Sequence, residues 1–173
     1  MILSHPLITN FLFSRGRKPQ PKQGFTLIEL LVVIIIIGIL SAIALPTLLT
    51  QVSRSRQAEA KVLLGTINRS QQTYRFRNGV FANDINLLEI SVPAEYYSYS
   101  VDQANGSTSV THQAIAEPTY DQDLKDYASG VYYFPNNKLL STIICEANTI
   151  TSGASASINI NVADCNADST KVK

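Results

Sequence analysis

At 173 residues the chain has room for one domain and an appendage, and its overall charge of +1 hides a strong asymmetry along the sequence. Residues 78–173 hold four lysines against eleven Asp and Glu, a net charge of −7, so this half would repel nucleic-acid phosphates rather than gather them. Two cysteines without a histidine cluster make a poor zinc site and neither has a base beside it. No glycine-rich phosphate cradle occurs, so nothing supports an enzyme, a metal or a cofactor.

In chain order, residues 1–24 come first, with Arg15, Arg17, Lys18 and Lys22 and no acid. From Leu30 to Leu45 there is no charge, and Ser41 is the only polar side chain; from Phe25 to Ser53 the single charge is Glu29. That is long enough to cross a hydrocarbon core, which takes about 20 residues of helix. The β-branched run Val32–Ile37 would suit a buried strand elsewhere, but in lipid the backbone must satisfy itself, which predicts helix. The basic cluster ahead of the span holds the N-terminus in the cytoplasm and puts everything after Ser53 outside. In an oxidising compartment Cys145 and Cys165, 20 apart, are expected to close a disulfide loop that contributes about 3 kcal/mol; two free thiols are the alternative.

Three residues of the span stand out. A carboxylate at the centre of a transmembrane helix costs roughly 2.5–3.5 kcal/mol, so Glu29 needs an account. It lies near the helix end and can reach the interface, and Thr26-Leu27-Ile28-Glu29 also spells a capping box. The sharper account pairs Glu29 with a positive charge from a neighbour in an assembled state. Gly38 and Pro46 weaken a helix, through backbone freedom and a missing N–H, and the stretch between them is where a kink or local melting is expected.

The run from Gly24-Phe25-Thr26-Leu27-Ile28-Glu29 through Gly38-Ile39-Leu40, behind a basic leader, resembles the prepilin signature of type IV pilins and type II secretion pseudopilins. The resemblance implies that a prepilin peptidase cuts between Gly24 and Phe25, that the new Phe25 amine is methylated, and that Glu29 pairs with the Phe25 amine of an adjacent subunit. It also implies an assembly platform and minor pilins as partners, besides copies of the chain itself. Arg56 to Tyr74 and the Tyr-rich head are similar to cyanobacterial pilins. The leader departs from the family plan in its apolar Met1–Phe13, which leaves a later start codon as an alternative.

Past the membrane the helix is expected to continue. Ala60, Leu63, Leu64, Ile67, Gln71 and Tyr74 form a stripe with one polar interruption, expected to pack on the chain's own head. Arg54, Lys61, Asn68 and Arg75 recur every seven residues beside it as a solvated flank. Unbroken from Phe25 to Arg77, the helix would be about 80 Å long. Asn78-Gly79 suits a left-handed stop. A short helix is expected within Phe81–Ile90, then strands at 97–101, 108–116, 130–134, 139–145 and 158–162, with Asn105-Gly106 as a hairpin turn and a loop over 149–157. Four or five antiparallel strands laid on the helix make an α+β head. His112 is expected to be an ordinary strand residue. The acids of Asp121–Asp126 lack the glycine of a calcium loop and predict a solvated turn. Asn68-Arg69-Ser70 and Asn105-Gly106-Ser107 are formal glycosylation acceptors.

The expected organisation is therefore a leader (1–24), a transmembrane and assembly helix (25–53), an amphipathic helix (54–77) and a globular β head (78–173). The expected function is the structural subunit of a type IV pilus, anchored once in the inner membrane and then polymerised into an extracellular fibre for motility and adhesion. DNA uptake and a nucleic-acid partner are left open. Alternatives are a secretion pseudopilin, an uncleaved membrane-anchored binding protein, or a secreted soluble binding protein cut after Ala42-Ile43-Ala44.

Overall fold

The computed structural model describes residues 24–150, 156–159 and 164–172. The leader cations, the middle of the 149–157 loop, and Ile160 and Val162 of the last expected strand lie outside the described residues. The contacts divide the chain into two compact units, Met1–Ala42 and Ile43–Lys173.

Helix α1 runs Leu27–Asn78, assigned as helix throughout, including Gly38 and Pro46. Thr26 starts it: its Oγ1 accepts from Glu29 N at 3.3 Å, the first half of the expected capping box. The helix ends where expected. Gly79 has φ +76°, the left-handed region that a side chain disfavours, and its N–H bonds the Arg75 carbonyl at 2.8 Å.

After α1 comes a single 3-10 turn, η1 (Ile85–Leu88), capped by the Asp84 carboxylate on Asn86 N. The strands are β1 (Tyr97–Asn105), β2 (Ser109–Ala116), β3 (Tyr127–Phe134), β4 (Leu139–Ala147), β5 (Ile158–Asn159), β6 (Asp164–Cys165) and β7 (Ser169–Lys171). They form a five-stranded antiparallel sheet in the order β1-β2-β3-β4-β7 and a separate β5-β6 hairpin. The sequence places β2 to within one residue, ends β1 four residues early, starts β3 three residues late and ends β4 two residues early. The fifth sheet strand is Ser169–Lys171, not the run at Ile158, which instead begins the small hairpin. Three residues with no apolar alternation carry no strand signal of their own. They become a strand because β4 offers them an edge.

The head is layered by strand alternation. On β3, Tyr127, Ser129 and Val131 face the helix, while Ala128, Gly130 and Tyr132 face the β5-β6 hairpin; all six are buried. The helix side gathers Ala60, Leu64, Ile67, Ala114 and Tyr127. The far side gathers Tyr132, Ile143, Cys145 and the partly buried Ile158. A Cβ on Gly130 would stand 2.9 Å from the Tyr132 ring, so the missing side chain is what lets that ring lie across the strand. This is the α+β fold that the sequence predicts, with the second half of α1 packed on an antiparallel sheet.

Candidate functional site

Two sets of residues matter: an exposed apolar helix surface, and the contacts that hold the helix to the head.

Every residue from Gly24 to Val52 is exposed, in a helix long and apolar enough to cross a membrane. Burying side chains such as Ile34, Ile36 and Leu40 is worth about 1.5–3 kcal/mol each, so this surface demands lipid or protein around it. Glu29 sits in the first turn, where its carboxylate suits the positive end of the helix dipole. Among the described residues it makes no ion pair. Phe25 precedes the helix and is exposed. Pro46 offers no N–H to the preceding turn. The hydroxyls beyond Ser41 turn inward: Thr47 Oγ1 donates to the Ala44 carbonyl and Thr50 Oγ1 to the Pro46 carbonyl, both at 2.8 Å. Such back-bonding lets a polar group stand on an apolar rod without an unpartnered hydrogen.

The second half of α1 is fastened by polar groups as much as by the stripe. The Gln71 amide Oε1 accepts from Ala82 N at 2.9 Å, and its Nε2 donates to the Ala82 carbonyl and to His112 Nε2, both at 3.0 Å. His112 Nε2 is thus an acceptor, and its proton belongs on Nδ1, beside Ser129. Burial pushes the imidazole pKa down from 6.5 to about 4, so His112 is neutral. It is a strand residue, as expected, and it is also one of the sheet's bonds to the helix.

Glu146 on β4 forms a second hub. It takes Lys61 of the helix at 2.9 Å and Lys125 at 2.8 Å, and the Tyr127 hydroxyl shares its proton between Glu146 and Gln57. Burial works to raise the carboxyl pKa, but hydrogen bonds from Lys125 and Lys61 outweigh it and hold the group below its usual range. Two arginines clamp the ends. Arg56 stacks over Tyr96 and Tyr120, and Arg75 lies 3.5 Å from the Tyr133 ring centre while its Nε donates to the Ser107 carbonyl.

The expected solvated flank is therefore corrected at three of its four positions. Lys61 is ion-paired, Arg75 is stacked, and Asn68 is buried; only Arg54 is free of such contacts. The heptad spacing puts these residues beside the stripe, where Glu146, Ser107 and Tyr133 of the head still reach Lys61 and Arg75. Burial also removes Asn68 as a glycosylation acceptor, whereas Asn105 is exposed. The acidic turn is corrected too: Asp126 is buried and accepts from Ala116 N at 2.8 Å. Cys145 and Cys165 are joined, tying β4 to the β5-β6 hairpin. Sequence reasoning did not find Glu146, Gln57 or Arg56; the polar interruption at Gln71 was the one visible signal of the helix-to-sheet lock.

The model described as "Type IV pilin-like G and H" matches residues 57–167, and that of the "Prokaryotic N-terminal methylation motif" matches residues 20–45. The chain belongs to the type IV pilin family. Among curated proteins, this pilin is 39% identical over 95 residues to the type IV major pilin protein PilA of Myxococcus xanthus, covering 53% of this chain and 42% of that one. It is 41% identical over 93 residues to the fimbrial protein EcpC of Eikenella corrodens, covering 53% and 61%. A weaker relative is the type II secretion system core protein G of Vibrio cholerae, 30% identical over 76 residues, covering 44% and 52%. The pilin thus spans about half the length of the curated relatives it matches.

Proposed function

We propose that this pilin is the structural subunit of a type IV pilus. In this reading a prepilin peptidase removes residues 1–24, the Phe25 amine is methylated, and the mature chain waits in the inner membrane with its head outside. It then leaves the bilayer by packing residues 25–53 against copies of itself, with an assembly platform and minor pilins as further partners. Glu29 meets the Phe25 amine of a neighbour, which provides a countercharge for a carboxylate that would be penalised alone in an apolar core. The stretch from Gly38 to Pro46 is the part able to adjust during that transfer.

The observation that carries the reading is the exposed apolar surface from Phe25 to Val52 with Glu29 at its head. Support comes also from the methylation-motif match over residues 20–45 and from relatives named as major pilins and fimbrial proteins. A pseudopilin of a secretion system is the second reading, favoured by the core protein G relative. Immunoelectron microscopy with antibodies to the head separates the two. Label along sheared surface fibres is expected; label confined to the cell envelope would overturn the pilus reading in favour of the pseudopilin.

A further inference from the structure

The stretch of α1 that carries the head has a second face, which the head does not use. Arg54, Val62, Arg69, Thr73, Phe76 and Arg77 fall within an arc of about 140° at 100° per residue, opposite the buried stripe. All six are exposed, Val62 at 68% and Phe76 at 91%. A large aromatic this bare, on a helix face that also carries Arg69 and Arg77, has the composition of an interface centre. Beside it runs an open groove of about 510 Å³ lined by Arg69, Thr73, Arg77, Leu87 and Glu89.

The charges indicate what covers this face. Of the six helix cations, Arg56 and Arg75 are stacked on aromatic rings and Lys61 is paired with Glu146. Arg54, Arg69 and Arg77 have no ion pair among the described residues; Arg54 shares a groove with Asp123 of its own head, and Glu89 lines the groove beside Arg69 and Arg77. The complementary surface is on the head. The β2–β3 connection carries Glu117, Asp121 and Asp123 with no base among residues 117–123. It is stiffened by successive turns, Tyr120 N to the Glu117 carbonyl at 2.8 Å and Asp123 N to the Tyr120 carbonyl at 2.9 Å, with Tyr120 held under Arg56.

We infer that the Arg69–Arg77 helix face docks on the acidic β2–β3 connection of a second copy of this chain. The inference rests on the fibre reading and extends it from the apolar helix to the heads. The two patches differ, so the contact is head-to-tail, and a head-to-tail contact that does not close propagates as a filament. Nucleic acid and anionic lipid suit the arginines but would meet the net −7 of the head; another copy turns that charge to advantage.

The test uses the full chain in cells that export it. Arg69→Glu/Arg77→Glu should reduce fibre yield several-fold. Adding Asp121→Lys/Asp123→Lys to the same chain should restore it. The milder Arg69→Gln/Arg77→Gln pair should give fibres that fall apart at lower salt than wild type, since these charges sit at a screened surface. Head folding in each variant is checked by disulfide formation. Charge variants that assemble as wild type, or a reversed helix that the reversed connection does not rescue, would overturn the contact alone. So would normal assembly accompanied by lost binding to duplex DNA or to phosphatidylglycerol vesicles. A wild type without fibres would overturn the subunit reading and this contact with it.

Discussion

Gln71 is the polar break in an otherwise apolar stripe, and its amide joins helix, Ala82 and His112 in one buried network. Gln71→Leu keeps the volume but strands the Ala82 amide and carbonyl and the His112 ring. It should cost about 1–3 kcal/mol for each group left unpaired, measured by urea denaturation of the head. His112 adds a pH signature. Its folded pKa of about 4 lies below the ordinary 6.5, so in that window the unfolded chain binds the extra proton and stability rises with pH. Acidifying from pH 6.5 to 4 should therefore remove up to about 3 kcal/mol through this one ring. His112→Gln should flatten that part of the profile; an unchanged slope would mean that His112 is not the titrating group. At the other end of the helix, Glu29→Ala should leave membrane insertion and cleavage intact and block incorporation into fibres. Normal fibre yield would show that the charge pair is wrong. Gln71 was visible in the sequence as an anomaly, but its partners lie 11 and 41 residues away, and no local pattern reports them.

Helix α1 was legible because three independent signals agree on it: an apolar run, an amphipathic stripe, and a stop at Asn78-Gly79. The first four sheet strands were legible from alternation and from turns such as Asn105-Gly106. Strand β7 was not, because a three-residue edge strand is defined by the neighbour it pairs with. The flank at Lys61, Asn68 and Arg75 was misjudged for a related reason. Helical spacing fixes a residue's angle about the axis, but not how far the sheet wraps. The disulfide was legible from two cysteines in an exported chain, and its structural context adds which elements it joins. It fastens the short β5-β6 hairpin to strand β4 of the main sheet. Cys145→Ser should lower the midpoint of head unfolding, by an amount corresponding to roughly 2–5 kcal/mol, without changing leader cleavage. Loss of cleavage would show that the peptidase reads the head as well as the signature.

The molecule joins a head fastened by its own contacts to a helix surface that is left exposed. Within residues 43–173 the polar hubs at Gln71 and Glu146 and the two stacked arginines fix the helix to its sheet. The apolar stretch before it demands lipid or protein around it, and in the proposed function copies of the chain supply that cover. In that proposal the leader must be gone before exchange between the two environments, since a basic segment ahead of Phe25 would carry its charges into the apolar core. Intact-mass measurement of subunits from sheared surface fibres tests this most directly. The account predicts a chain beginning at Phe25, with one added methyl group and the disulfide closed. A soluble secreted monomer beginning at Leu45 would contradict it.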